Sequence, residues 1–449
     1  MSFISIPAEE VKVAAEADVC VIGGSCTGVF AAVRAARLGA RVVLVEKQNR
    51  LGGTATCGLV SMWHSLFDTA GTQRIIGGLT FEMMERLERH RGIGEFRKPS
   101  PEYGVRLNSE LLTLELDALV EEQPGIRLFL QTSFSRAVMR APGEIDAIIA
   151  ENNSGRFAIR ARQFIDASGD GLLCREAGCA MHRPERFQPP TSCARFEGWE
   201  TLGDFNFGNA VQRFRAKYPE LPCGYWWGMK VPNSSIYMLA GTRVLRYDPE
   251  TPDAVTRAEL ESRRQLRAVL EMVRAEYPEN RISLQTLPSA IGIREGLHID
   301  SAARLKGADM LAGTRFTDAI GNGTYPVDIH SDGDDGISFR RLDGEMVTYG
   351  GGLPPRRERW LPEGEILPFY QFTLGSLIPV GMRNLISAGR MLDADAEAFG
   401  AVRVMVNLNQ CGEAAGVAAA QSLDSGSGIA AVDCGKVREL LAAGGSIVI

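Results

Sequence analysis

The strongest chemical signal in the chain lies between residues 23 and 28. Gly23-Gly24-Ser25-Cys26-Thr27-Gly28 fits the spacing G-x-G-x-x-G with Ser25 in the middle position. Such a turn lets backbone N–H groups at a helix N-terminus face a diphosphate. Glu46 follows 18 residues after Gly28, at the end of the next apolar run, where a carboxylate accepts from ribose hydroxyls. A second glycine pair, Gly52-Gly53, with Thr54 and Thr56 beyond it, brings another stretch of backbone close to the same ligand. With serine in the middle position, the competing reading of the first turn is a tight strand-to-helix connection that binds nothing.

Reactive side chains are fewer. Arg294 keeps its charge near neutral pH and can clamp a carboxylate or steady a developing oxyanion; the alternative is a structural ion pair with Glu295 or Asp300. His330 is the best acid/base candidate by residue type, and its alternative is a solvated or domain-contact histidine beside Asp328. His64, next to Trp63, can approach a ring or link to it covalently, against a packed surface role. Cys57 and the pair Cys174 and Cys179 read as buried core thiols. Tyr225-Trp226-Trp227 reads as domain packing or as an aromatic pocket wall. The charge run of residues 82–91 lies on a predicted helix and needs no functional role.

Secondary structure must hold these groups in place. Residues 18–47 read as strand, glycine turn, helix and strand, a βαβ unit that opens a parallel sheet. Val19 to Ile22 form the first strand, residues 29–38 the helix, with Ala32 small enough for close packing and Gly39 as its stop, and residues 41–46 the second strand. Asn108-Ser109 caps a helix with Leu111, Leu112, Leu114, Leu116 and Leu119 on its apolar face. Residues 125–138 return to strand, a hairpin turns at residues 152–155 between segments 146–150 and 157–160, and residues 164–171 form a further strand that runs into a glycine turn. After about Arg183 the chain becomes richer in Pro, Trp, Tyr and Phe. Residues 254–276 form a charged helix with Leu260, Leu266, Val269, Leu270 and Val273 inward. The expected organisation is α/β: a Rossmann-like nucleotide domain from residues 1–185 and 375–449, interrupted by an α+β substrate-facing domain of residues 186–374.

Composition bounds the partners. The chain has 449 residues, 49 basic and 55 acidic, for a net charge of −6, so no positive field collects nucleic acid. Glycine is abundant, 49 residues, about 11% against a usual ~7%. Nine scattered cysteines lack any C-x-x-C pair, which disfavours a disulfide framework or a metal site and fits a reducing cytoplasm. The N-terminal residues show no apolar core of an export signal. The uncharged run 19–33 is too short and glycine-broken to span a bilayer, so no membrane partner is expected.

The three glycine turns together resemble the FAD-dependent oxidoreductase superfamily of the glutathione-reductase type, whose late Ala-Thr-Gly-Asp-like turn matches Asp166-Ala167-Ser168-Gly169-Asp170-Gly171. Ile291-Gly292-Ile293-Arg294-Glu295 and Tyr325-Pro326-Val327-Asp328-Ile329-His330 resemble segments of a bacterial family called FAD-dependent oxidoreductase. Residues 384–390, 400–405 and 412–419 resemble it too. The resemblance implies FAD held by Gly23, Gly24, Ser25, Cys26, Thr27, Gly28, Glu46, Lys47, Gly52, Gly53, Thr54, Thr56, Phe134, Ala167, Ser168, Gly169, Gly389, Arg390, Ala401 and Val402. It also implies that Gly400-Ala401-Val402 open a helix aimed at the flavin's pyrimidine edge. The chain departs from the family in two places. Asp393-Ala394-Asp395-Ala396 replaces the usual S-A-T-H, and Gly296-Leu297-His298 replaces a pair of arginines.

The expected activity is exchange of a hydride between bound FAD and a small organic substrate held between the two domains, with Arg294 and His330 as catalytic residues. The chain shows no second strand-coupled G-x-G-x-x-G turn, so electrons are expected to pass to or from oxygen, a second substrate or a redox protein. One alternative is a flavin monooxygenase, against which Gly389 is followed by Arg390 rather than by aspartate. The other is a non-catalytic FAD-binding redox subunit or sensor. Sequence leaves the oligomeric state open.

Overall fold

Strands buried on both faces need apolar residues at every position. Val19-Cys20-Val21-Ile22 ends such a strand, Val13–Ile22, with Val42–Val45 parallel on one side and Gly155–Asp166 parallel on the other. Ile126–Phe129 extends the sheet beyond Val42–Val45, and Leu385–Ser387 adds in parallel to the end of Gly155–Asp166. The antiparallel strands Glu144–Asn152 and Ser133–Ala141 complete seven strands. The computed structural model describes residues 3–5, 7–99, 104–221, 225–331, 336–350 and 353–449.

Two strand expectations change. Segments 157–160 and 164–171 begin as one strand, Gly155–Asp166, because Arg160 and Arg162 point outward between buried Ile159, Ala161 and Gln163 and the period of two runs through. Residues 125–138 divide into two strands at opposite edges of the sheet. Gln131, at φ 48°, breaks them, and Thr132 N–H donates to the Glu46 carbonyl at 3.0 Å. The chain thus crosses the C-terminal ends of the parallel strands, where open α/β sheets bind ligands.

The first helix, Cys26–Arg37, is capped by Ser25 and packs against a long C-terminal helix, Met405–Ser425. Contact is made backbone to backbone. A Cβ on Gly412 would lie 2.1 Å from the Thr27 carbonyl oxygen, and one on Gly416 would lie 2.2 Å from that of Ala31. Both pairs are four residues apart, so the ridges of the two helices match. Between them, Glu413 is buried and accepts from Arg34 Nε at 2.7 Å and Leu79 N–H at 3.1 Å.

Helix Ser109–Glu121 is capped by Asn108 as expected, and helix Ala254–Glu276 is present. Leu114 and Leu260, assigned to their apolar faces, are instead exposed, at 62% and 51%. Leu112, Leu116 and Leu119, and Leu266, Val269 and Val273, carry the packing. Among the described residues, two four-stranded antiparallel sheets and three antiparallel strand pairs complete the fold. One four-stranded sheet joins Trp227–Lys230, Tyr237–Ala240, Cys193–Glu197 and Ser283–Thr286; the other is a meander of Val327–His330, Ile337–Arg340, Glu345–Gly350 and Leu353–Arg359. Leu305, Ile320, Val327 and Phe372 join the core built on the first helix. Cys223 lies outside the described residues; the other eight cysteines are free thiols. Among the described residues, no helix is long and apolar enough to cross a membrane.

Gly416→Ala tests the helix contact. Alanine favours an isolated helix over glycine by about 1 kcal/mol, yet here its methyl meets a carbonyl. The expected result is a net loss of about 1–3 kcal/mol, read as a lower thermal midpoint; a higher midpoint would contradict the contact.

Candidate functional site

A single cavity of about 1040 Å³ runs along the C-terminal ends of the parallel strands. It stands at the upper end of the ~300–1,000 Å³ typical of small-molecule and cofactor sites. At one end the wall is backbone: Gly23, Ser25, Cys26 and Thr27 where the first helix begins, then Gly52, Gly53 and Thr54, then Ala167, Ser168 and Gly169. The turn closes tightly on itself. A Cβ on Gly23, at φ 102°, would lie 2.3 Å from the Ala167 carbonyl oxygen, and one on Gly28 would strike the Gly23 carbonyl. Only glycine permits this approach, which sets the open N-terminal turn of the helix at the cavity.

Glu46 is 7% exposed and lines the same wall. Its carboxylate accepts from Gly24 N–H at 2.6 Å and from Gln48 N–H at 2.7 Å, fixing its direction. Lys47, Phe134, Gly389 and Arg390 also line the cavity. Arg390 is ion-paired with Asp170 of the neighbouring turn.

Five of the expected cofactor residues stand back from the wall. Gly24 serves as the donor to Glu46, Gly28 as the point of close approach, and Thr56 donates to the Leu51 carbonyl at 2.6 Å. Ala401 and Val402 require a correction. With Gly400 they close the helix Ala396–Val402 instead of opening one. Gly400 packs against the Asp328 backbone, and the Ala401 carbonyl accepts from Tyr370 and Asn407. The helix that begins at the cavity is Met405–Ser425, with Arg403, Val404, Met405, Leu408 and Asn409 on the wall. The chain turns between the two helices at Arg403-Val404, where the sequence shows neither glycine nor proline.

The far end is a polar cluster. Asp328 accepts from Tyr325 Oη at 2.7 Å and from Arg403 Nη2 at 2.7 Å. His330 Nε2 lies 3.2 Å from Asp328 Oδ1 but off the line of a hydrogen bond, so that oxygen has no protein donor. The His330 Nδ1 atom is 3.3 Å from Arg243. Arg294 donates to the Pro189 carbonyl and to Thr191 Oγ1. The ring of His64 meets Tyr325 edge-on, 4.2 Å between centroids.

Burial sets the charges in this cluster. It pushes His64 down to about 4, helped by Arg403, and His330 down to about 3, helped by Arg294, so both imidazoles are neutral near pH 7. Burial alone would raise Asp328, but the neighbouring His330, the Arg403 ion pair and the Tyr325 hydroxyl hold it ionised, well below the usual carboxylate range. Arg294 is lowered to about 9 by burial and by Arg403, and stays charged near pH 7.

Several alternatives are thereby corrected. Arg294 has no ion pair with Glu295 or Asp300, since Glu295 faces His298 at 3.2 Å and Asp300 faces His182 at 2.7 Å. His330 is not solvated, and His64 belongs to the cavity wall, not to the outer surface. Trp226 packs in a core, while Tyr225 and Trp227 line the cavity. Cys57 is on the wall as well, its thiol pushed up by burial. The carboxylates of the departure at 393–396 are structural: Asp393 holds Ser301, and Asp395 caps the helix Ala396–Val402.

Sequence reasoning missed Tyr325, Asp328 and Arg403 as site residues. The alternation Val327-Asp328-Ile329-His330 was the available signal, since it places Asp328 and His330 on one face of a strand.

The residues present fit a dinucleotide. A glycine cradle with a fixed carboxylate lies at one end, and buried polar atoms without protein partners, Asp328 Oδ1, Arg403 Nε and His64 Nδ1, lie at the other. Among solved structures, the chain is similar to a geranylgeranyl bacteriochlorophyll reductase-like protein of Thermoplasma acidophilum, at 13% identity over 96% of this chain and 83% of that one, with a TM-score of 0.48. It is similar also to the myxobacterial chondrochloren halogenase CndH, at 12% identity over 96% and 79%, TM-score 0.43. A third is p-nitrophenol 4-monooxygenase PnpA of Pseudomonas putida, at 11% identity over 65% and 70%, TM-score 0.41. No curated protein matches the sequence. The family model for FAD dependent oxidoreductases matches residues 18–441, and the chain belongs to that family, as a flavin-dependent enzyme with FAD as its cofactor.

Proposed function

We propose that the chain exchanges a hydride between FAD and a small organic substrate held at the Asp328 end of the cavity, between a Rossmann-like FAD domain of residues 1–185 and 375–449 and a substrate-facing domain of residues 186–374. The observation that carries this reading is the continuity of one cavity from the Gly23–Gly28 turn to the cluster of Arg294, Tyr325, Asp328, His330 and Arg403. When bound, FAD supplies a two-electron acceptor or donor.

The chain's own residues do the rest. The first helix and the glycine turns hold a diphosphate by backbone N–H groups, and Glu46, fixed by Gly24 and Gln48, accepts from ribose hydroxyls. Arg294 stays charged and orients the substrate by charge-assisted hydrogen bonds. His330, neutral and beside Asp328, accepts a proton from a substrate hydroxyl or amine, and the fixed anion of Asp328 stabilises the imidazolium that results. Aromatic walls exclude water from the same end.

Electrons pass to or from oxygen, a second substrate or a redox protein, since the chain carries no further dinucleotide turn of the first kind.

Anaerobic bleaching of the bound flavin across a panel of small organic molecules identifies the substrate. Against that substrate, Arg294→Ala is expected to slow flavin reduction by about 10- to 100-fold, the loss of one or two charged hydrogen bonds worth ~1.5–3 kcal/mol, with FAD still bound. An unchanged rate would remove Arg294 from the chemistry.

The two neutral imidazoles also fix a pH dependence of stability. Their folded pKa values, about 4 and about 3, lie below the unfolded ~6.5, so the unfolded chain takes up protons first as pH falls. Stability is full above about pH 6.5 and declines below it, by at most about 1.4 kcal/mol per pH unit for each imidazole. Thermal midpoints between pH 7 and pH 4.5 are expected to fall, and a His64→Gln, His330→Gln protein to fall less steeply. Equal slopes would show that the imidazoles are not held neutral.

A further inference from the structure

The three-stranded part of the meander turns one face to the cavity. Asp328 stands directly opposite Phe339, His330 opposite Ile337, and Ile337 opposite Tyr349. Residues directly opposite share a face, and all five line the cavity. This face carries one carboxylate, one neutral imidazole, an isoleucine and two aromatic rings. Phe339 and Tyr349, 6.1 Å apart, are joined by Tyr225 at 5.9 and 4.9 Å from them.

Among the described residues, the charges around Arg294 do not balance. Arg294 and Arg403 face a single carboxylate, Asp328, and that carboxylate is already engaged by Arg403 and Tyr325. Among the described residues no carboxylate pairs with Arg294, whose hydrogen bonds go to a carbonyl and a hydroxyl. Arg294 is repelled by Arg403 and Arg243 and attracted by Asp328. Arg403 Nε is a buried donor with no protein acceptor, and His64 Nδ1 on the same wall has no partner either. A buried guanidinium without a counter-charge, as Arg294 is among the described residues, is costly, and an anion entering the cavity removes that cost.

We infer that the substrate of the reaction proposed above is an organic monocarboxylate with a flat apolar body. Its carboxylate lies between Arg294 and Arg403, and its body lies against Tyr225, Phe339 and Tyr349. The inference rests on the reading of this cavity as the place where FAD meets substrate. Arginine suits the task because its planar fork matches a carboxylate. The aromatic faces take a flat ring with little loss of conformational freedom. The charge of Arg294, which no described carboxylate pairs, also selects against neutral and cationic molecules of the same shape.

The test uses the FAD-loaded protein at pH 7 and three probes: benzoate, benzamide and acetate. Benzamide keeps the shape and removes the charge, while acetate keeps the charge and removes the body. Perturbation of the visible flavin band and calorimetry are expected to show benzoate bound at least tenfold more tightly than either of the others. In Arg294→Gln, benzoate is expected to weaken at least tenfold and benzamide to stay within a factor of about two, with FAD affinity unchanged. Benzamide or acetate bound as tightly as benzoate overturns the inference, and so does FAD-loaded protein that binds none of the three. Protein that takes up no FAD contradicts the underlying reading and the inference together. If the variant does not fold, the comparison of the three probes on the wild-type protein still decides.

Discussion

Everything in this structure is built outward from the closeness of two backbone segments, the turn at Gly23 and the strand end at Ala167. A side chain on Gly23 would overlap the Ala167 carbonyl, and a side chain on Gly28 would overlap Gly23 itself. These two exclusions seat the first helix directly over the parallel strands, with its N-terminal turn at the strand ends. The same economy of side chains repeats on the helix's other flank, where Gly412 and Gly416 admit the long C-terminal helix to backbone contact. That second contact matters for chemistry, because the C-terminal helix begins at the cavity and carries Arg403 just ahead of its first turn.

From this frame the two ends of the cavity acquire opposite characters. One end is made by backbone and by a carboxylate whose direction is locked by Gly24 and Gln48. Little there can titrate or move, which suits a cofactor that stays. The other end is made by side chains from separate parts of the chain, Arg294, Asp328, His330 and Arg403, with charges set by burial and by one another. Asp328 stays ionised against its burial because His330, Arg403 and Tyr325 surround it. The imidazoles stay neutral because they are buried beside guanidinium groups. Such mutual dependence is usual where proton transfer and orientation are required.

Much of the first end was legible in the sequence, because backbone binding leaves a local trace. Gly23, Gly28, Glu46 and Gly52-Gly53 are close together along the chain, and each is read by type and spacing. The second end left a weaker trace. Arg294, Asp328 and Arg403 are far apart in sequence and meet only through the packing of the meander on the helix Ala396–Val402, where Gly400 touches the Asp328 backbone. Ala401 and Val402 misled for a related reason. Gly400-Ala401-Val402 reads as the opening of a helix, and the break at Arg403-Val404, which puts the helix N-terminus a few residues later at the cavity, is marked by neither glycine nor proline. Leu114 and Leu260 show the same limit on helix faces, since apolar type alone does not decide which side of a helix is covered.

The most direct test of the central claim is a crystal structure of the protein grown with FAD. The account predicts the diphosphate at the N-terminus of Cys26–Arg37, a ribose on Glu46, and the flavin ring in the same cavity on the side that holds Arg294 and Asp328. FAD bound in the reverse direction, or bound away from the Gly23–Gly28 turn, would contradict it.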